Sequence, residues 1–327
     1  MKKLMVLFFL CIIPFITNAT ISEMSFGKWN IKFDDETKRA EFVKEGVTVL
    51  KDVKIKFKNG DVLLDASSYN SVKIKQEDIV DEVGKARKFT IEYTGSENSD
   101  NPIVYQNFYL YDGQDYFLTD VILQSPDNSI ISSNYIAPIS TEADNLFLPA
   151  DVNNRFITVP FDNDGFITYA SYPLSCSQTD PESLAIGRVA RDSVSMEVSA
   201  IFNGETQLGL VIGSVDHDTW KSAVRITGSP LAQGKITNLE CFSGVTHHIT
   251  RDMIDGVLKP HGAVKGQQVK SARMIVHYSG DWRTGLETFG DVCCAIAPKR
   301  SWDKPGVVGA AWVLRSVMMV LCRYRIL

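Results

Sequence analysis

The 327-residue sequence predicts an all-β fold: an antiparallel β-sandwich of two packed sheets, followed by a short C-terminal helix and a tail. Three features lead there. Apolar and polar residues alternate with period two through most of the chain. Asn-Gly and Asp-Gly pairs fall between the alternating runs. No window before Asp281 carries a capped apolar stripe of helical period.

The first element is a leader. Lys2 and Lys3 precede "LMVLFFLCIIPFI", an apolar run too short for a stable transmembrane helix, and Thr17-Asn18-Ala19 ends in the small residue a signal peptidase requires. Cys11 lacks the preceding small residue of a lipoprotein site. Residues 1–19 are therefore expected to be a cleaved signal peptide, and the protein secreted or periplasmic.

The β domain is expected over residues 20–280. Val53, Ile55 and Phe57 alternate with Lys54, Lys56 and Lys58, which gives one apolar and one solvated face. Asn59-Gly60 then leads into "VLLDASSY", a hairpin signal that predicts a type I′ turn with positive φ at both central residues. Asp112-Gly113 stands between "QNFYLY" and "YFLTDVIL", and Asn203-Gly204 between "SMEVSAIF" and "QLGLVIGSV". Near the end, "DWRTGLETFGDVCCAIAPK" reads as a short helix that stops at Pro298, within a connecting segment 281–304.

Composition narrows the function. Apolar content of 44% and charged content of 22% allow a real core. A net charge of −5, with Lys and Arg spread along strands, excludes a phosphate-binding surface and so nucleic acid. Beyond Cys11 there are Cys176, Cys241, Cys293, Cys294 and Cys322, in no zinc spacing. Adjacent Cys293 and Cys294 are an awkward pair for a structural bridge, so free, mostly buried thiols are expected. No metal and no cofactor is called for.

Two clusters bear chemistry. In "VPFDNDGFITYASYPL", the groups of Asp162, Asn163 and Asp164 offer paired acceptors for sugar hydroxyls or calcium. The EF-hand pattern fails, since Pro160 and Ser171 stand at its ends. The other reading is an Asx-rich turn closed by Gly165. In "SVDHDTWKSAVRI", His217 lies between Asp216 and Asp218, and Trp220 either stacks on a sugar or packs into the core. His247 and His248 are adjacent on a strand and face opposite ways. No Ser-His-Asp order, phosphate loop or glycine fingerprint is present.

Three stretches, "VPFDNDGFITY", "GLVIGSVDHDTWKSAVRI" and "SGDWRTGLETFGDVCCAIAPKRSWDK", resemble the N-terminal half of secreted α-galactosidase-like glycoside hydrolases, the melibiase-related families 27, 31 and 36. The resemblance covers residues 140 to 304 and includes no catalytic signature. It implies a supersandwich, galactose-mutarotase-like, ahead of a (β/α)8 barrel that holds both catalytic Asp residues. No catalytic residue carries over to this chain. The implied role is a non-catalytic domain beside an α-galactoside-type glycan. A stand-alone carbohydrate-binding module would need Trp220 or Tyr169 as an exposed platform, and an aldose epimerase would need a converging His and Glu.

A barrel takes about 250 residues, whereas this chain ends at Leu327. From Pro305 on there is no Asp, Glu, Asn, Gln, Thr or Lys, and Arg315, Arg323 and Arg325 are the only charges. The apolar stretch is too short to span a membrane and is broken by Arg315. Residues 305–327 are expected to be out of frame, with the barrel-entry motif encoded in a shifted frame.

Overall fold

The computed structural model describes residues 21–142, 146, 148, 151–159, 170–174, 194–228, 234–247, 258–260 and 262–297. The chain divides into two compact units, Met1–Ile296 and Ala297–Leu327. The leader, the tail, and the cluster of Asp162, Asn163 and Asp164 lie outside the described residues.

The first unit is an antiparallel sandwich, as its alternation requires. Among the described residues, one sheet has nine strands. Its path runs Ile21–Phe26, Trp29–Asp34, Arg39–Lys44, Val47–Asn59, Ile136–Glu142, Ile236–Ser243, Ser222–Gly228 and Val194–Met196, with Val62–Asp65 off the path. The other has ten. It begins with Ala170–Pro173, Asn154–Thr158, Val198–Asn203 and Gly209–Ser214. It continues through Met274–Ser279, Tyr116–Gln124, Ile103–Tyr111, Lys85–Ser96 and Tyr69–Val80, and Gln268–Lys270 pairs with Tyr116–Gln124.

The period-two pattern becomes the core directly. Val53, Ile55 and Phe57 are buried, while the intervening lysines keep to the other face. Rings from both sheets meet between them. Trp29 lies edge-on to Phe117 at 4.8 Å, and Phe42 meets Phe117 at 5.0 Å and Phe108 at 6.0 Å. A polar tie joins the layers as well. Buried Lys44 donates from Nζ to the Tyr278 carbonyl at 2.8 Å and pairs with Asp115 at 2.5 Å.

The turns differ in detail from expectation. Asn59 sits opposite Val62, so the two-residue loop is Gly60-Asp61, and only Gly60 has positive φ, at 60°. That is the II′ pattern, with glycine first, rather than I′. At Asp112-Gly113 the Gln114 N–H donates to the Tyr111 carbonyl, and Gly113 takes φ of 70°. At Asn203-Gly204 the side chain leads: Asn203 Oδ1 accepts from the N–H groups of Glu205 and Thr206, and Gln207 is the residue with positive φ.

The expected helix spans Trp282–Ile296. Asp281 caps it, its Oδ1 accepting from the Arg283 N–H at 3.0 Å. Gly285, Leu286, Phe289, Val292, Cys293 and Ile296 recur at helical spacing and form the inward stripe. The stripe packs on the outer face of the ten-stranded sheet, against Ala200, Phe202, Val211, Tyr116, Leu118 and Ile275. Trp282 stacks on Phe202 with centroids 4.2 Å apart, and its Nε1 donates to Gln207 Oε1 at 3.0 Å. No described helix is long and apolar enough to cross a membrane.

Candidate functional site

The helix covers only part of the outer face of the ten-stranded sheet, and polar side chains gather beside it. Strand alternation explains their side of the sheet: Phe117, Thr119 and Val121 point to the core, so Asp120 points away. Asp120 is nonetheless fully buried. It accepts from Asn107 Nδ2 at 2.7 Å and from the Tyr109 hydroxyl at 3.0 Å, and pairs with Lys270 Nζ at 3.3 Å. Burial, with the Asp120 charge, pushes the Tyr109 phenol well above its usual range.

Arg273 organises the next group. Its Nε and Nη2 grip Asp216 at 3.0–3.1 Å, its backbone N–H donates to the same carboxylate at 3.0 Å, and Nη2 also pairs with Glu82. This forked geometry is what guanidinium offers and ammonium does not. Burial tends to raise the Glu82 carboxyl, but its backbone bond and Arg273 prevail and hold it low.

Next to Asp216, His217 turns the two edges of its ring to different partners. Its Nδ1 lies 3.4 Å from Glu197 Oε2, and its Nε2 lies 3.9 Å from Cys293 Sγ on the helix. Cys293 and Glu197 together push the imidazole up to about 10, and His217 in turn holds the Glu197 carboxyl low. Glu197 is where the chain passes from the nine-stranded to the ten-stranded sheet, with φ of 63°.

A second polar cluster lies on the outer face of the nine-stranded sheet. Glu240 and Arg225 are register partners, and the guanidinium bonds the buried carboxylate at 2.5 Å. Lys56 approaches Glu240 at 3.7 Å, and Arg225 lies over the Phe242 ring at 4.8 Å. Lys54 and Lys56 both reach Glu142.

Several expectations are corrected here. Trp220 is 4% exposed and donates its indole N–H to the Lys270 carbonyl at 2.7 Å. Its ring serves the core and offers no sugar platform. The thiols are free where described, but only Cys241 is buried, Cys293 is half-buried and Cys294 is exposed. Tyr169 and His248 lie outside the described residues, together with the Asp162 cluster. The "SVDHD" stretch does reach a polar site, through Asp216 and His217. Arg273, Glu82, Asp120 and Cys293 join it from distant strands and the helix, and no local spacing announces them.

Among the described residues no group of three or more His, Cys, Asp or Glu is placed to hold a metal. No protein-family model matches the sequence, and no curated protein matches it. Solved structures match the fold. The chain is similar to the α-N-acetylgalactosaminidase NagBb from Bifidobacterium bifidum in complex with GalNAc, at 11% identity and TM-score 0.53, covering 85% of this chain and 39% of that one. The same protein in complex with Gal-NHAc-DNJ aligns at 12% identity and TM-score 0.54, covering 86% of this chain and 40% of that one. A GH36 α-galactosidase, AgaA from Geobacillus stearothermophilus, aligns more loosely at 9% identity and TM-score 0.48, covering 83% and 42%. The chain thus spans about two-fifths of these structures. It shares its fold with part of the α-N-acetylgalactosaminidase.

Proposed function

We propose that this chain supplies the N-terminal β-sandwich domain of an α-galactosidase-like glycoside hydrolase, non-catalytic itself and set beside an α-galactoside-type glycan. The observation that carries this is the fold likeness to NagBb over 86% of the chain at TM-score 0.54. The electrostatics support the non-catalytic part. Glycoside hydrolysis needs one carboxyl group kept protonated by a raised pKa and a second on the other side of the bond. Every described carboxyl group that departs from its ordinary range departs downward, from Asp34 and Asp115 to Glu82 and Glu197. They are anions held by hydrogen bonds and cations, suited to structure and to accepting hydroxyls.

Asp162, Asn163 and Asp164 are the proposed sugar contacts. Titration of the full chain with α-galactosyl saccharides should show weak saturable binding, with Kd on the order of 1 mM. D162N combined with D164N should weaken it about tenfold, or roughly 1.4 kcal/mol. Absence of heat or chemical-shift change for every galactosyl saccharide would remove the sugar contact. Export is part of the same proposal: the secreted protein should begin near Thr20, and a retained Met1 would contradict it.

A further inference from the structure

We propose that Cys293, His217 and Glu197 form a nucleophilic thiol site that takes a low-molecular-weight disulfide as its substrate. The three side chains stand in the order thiol, imidazole, carboxylate, with Nε2 3.9 Å from Cys293 Sγ and Nδ1 3.4 Å from Glu197 Oε2. Thiol and carboxylate meet opposite edges of the ring, which is the arrangement of a nucleophilic sulfur, the imidazolium paired with it and the group that orients the ring. The same opposition keeps them from sharing one metal ion.

The backbone that carries the orienting group is fixed. Glu197 holds a left-handed φ of 63°, its N–H donates to the Ser222 carbonyl at 3.0 Å, and its own carbonyl accepts from the Ser214 N–H at 2.7 Å. A strained backbone pinned from both sheets fixes the point from which the Glu197 side chain reaches the ring. Of the other charges near His217, Asp216 is consumed by Arg273, Lys221 acts on Glu197, and Asp218 is exposed. Cys293 lies in the last turn of its helix, where the dipole opposes negative charge on sulfur. The cation that favours nucleophilic sulfur is therefore His217, which Glu197 and Cys293 keep charged at neutral pH.

In the reaction, Cys293 attacks as a thiolate, its own proton already released to solvent and His217 standing by as the paired cation, at one sulfur of the substrate disulfide. A new S–S bond forms to Cys293, the substrate S–S bond breaks, and the leaving thiolate takes the Nε2 proton of His217. Cys293 is oxidised to the mixed-disulfide level and the departing half is reduced to a thiol, so electrons balance without another oxidant.

Cys294 is an internal control. It is exposed, on the same helix, and turned about 100° from Cys293. The full chain is treated with cystamine, and with iodoacetamide in parallel, and modification is read residue by residue from fragmented peptides. Single variants C293S and C294S confirm each assignment. At pH 6.5 Cys293 should react about tenfold faster than Cys294, and the ratio should shrink toward pH 9. H217Q should bring the ratio near one while leaving Cys294 unchanged, and E197Q should lower it part of the way. Equal rates in the unaltered chain, or a ratio untouched by H217Q, would overturn the proposal and leave Cys293 a packing residue of the helix.

Discussion

His277 and His217 titrate in opposite directions, and each gives the fold a pH dependence of its own sign. His277 is buried against the helix, and burial lowers its imidazole to about 4; Asp115 offsets part of this, while Lys44 and Lys28 add to the lowering. Its Nδ1 has no hydrogen-bond partner, so a proton taken up there would be stranded. The unfolded chain binds that proton near pH 6.5 and the native state only near 4. Stability should therefore fall as pH drops from about 6.5 toward 4, by at most ~1.4 kcal/mol per unit. Urea midpoints at pH 7.5, 6 and 5 measure this, and H277Q should flatten the acid slope. His217 behaves oppositely, because its folded value is raised. Its contribution is complete below about 6.5 and disappears as pH rises through about 10. H217Q should flatten the alkaline side of the same curve and leave the acid side alone.

At the scale of elements, the helix and its seat make a prediction that propensity gets wrong. Gly285 is buried under the helix, and a Cβ there would come within 2.7 Å of both His277 Nδ1 and Val211 Cγ2. In an open helix Gly→Ala gains about 1 kcal/mol. Here G285A should instead cost about 1–3 kcal/mol, because both neighbours are themselves buried and cannot give way. Thermal unfolding of G285A beside G290A checks the sign, since Gly290 has open space around its Cβ position. The helix itself was legible from "DWRTGLETFGDVCCAIAPK", since its cap and its apolar spacing are local. So were the strands around Val53, Ile55 and Phe57. The turn types were less so: Asn-Gly marks a reversal, but register decides which two residues occupy its centre, and at Gly60-Asp61 it moved by one. The polar site was half legible. Asp216 and His217 belong to one stretch, whereas Arg273, Glu82 and Cys293 arrive through strand order and helix docking, which one sequence does not encode locally. Trp220 shows the limit of composition, for an aromatic beside charges reads alike whether its ring faces sugar or core.

At the scale of the molecule, two large sheets close on one continuous core, and the fold stands on that layer. Phe117 sits at its centre, in contact with Trp29, Phe42 and Phe108. F117A should cost about 3–5 kcal/mol and lower the urea midpoint of both sheets together. Fluorescence and far-UV signals that separate into two transitions would mean the sheets do not share a single cooperative core. The described polar clusters lie on the outer faces. One is clamped by the helix and gathers anions held by Arg273, Lys270 and His217. The other carries the Arg225–Glu240 pair.

Turnover decides whether this sandwich, as proposed, leaves glycoside cleavage to other residues than its own. The purified full chain is incubated with p-nitrophenyl α-galactoside, p-nitrophenyl α-N-acetylgalactosaminide and an α-galactosyl oligosaccharide from pH 4 to 9. No nitrophenol or galactose should be released above the uncatalysed rate at any pH. Turnover that disappears when Asp162 or Asp164 becomes Asn would contradict it and place an active site within the β domain.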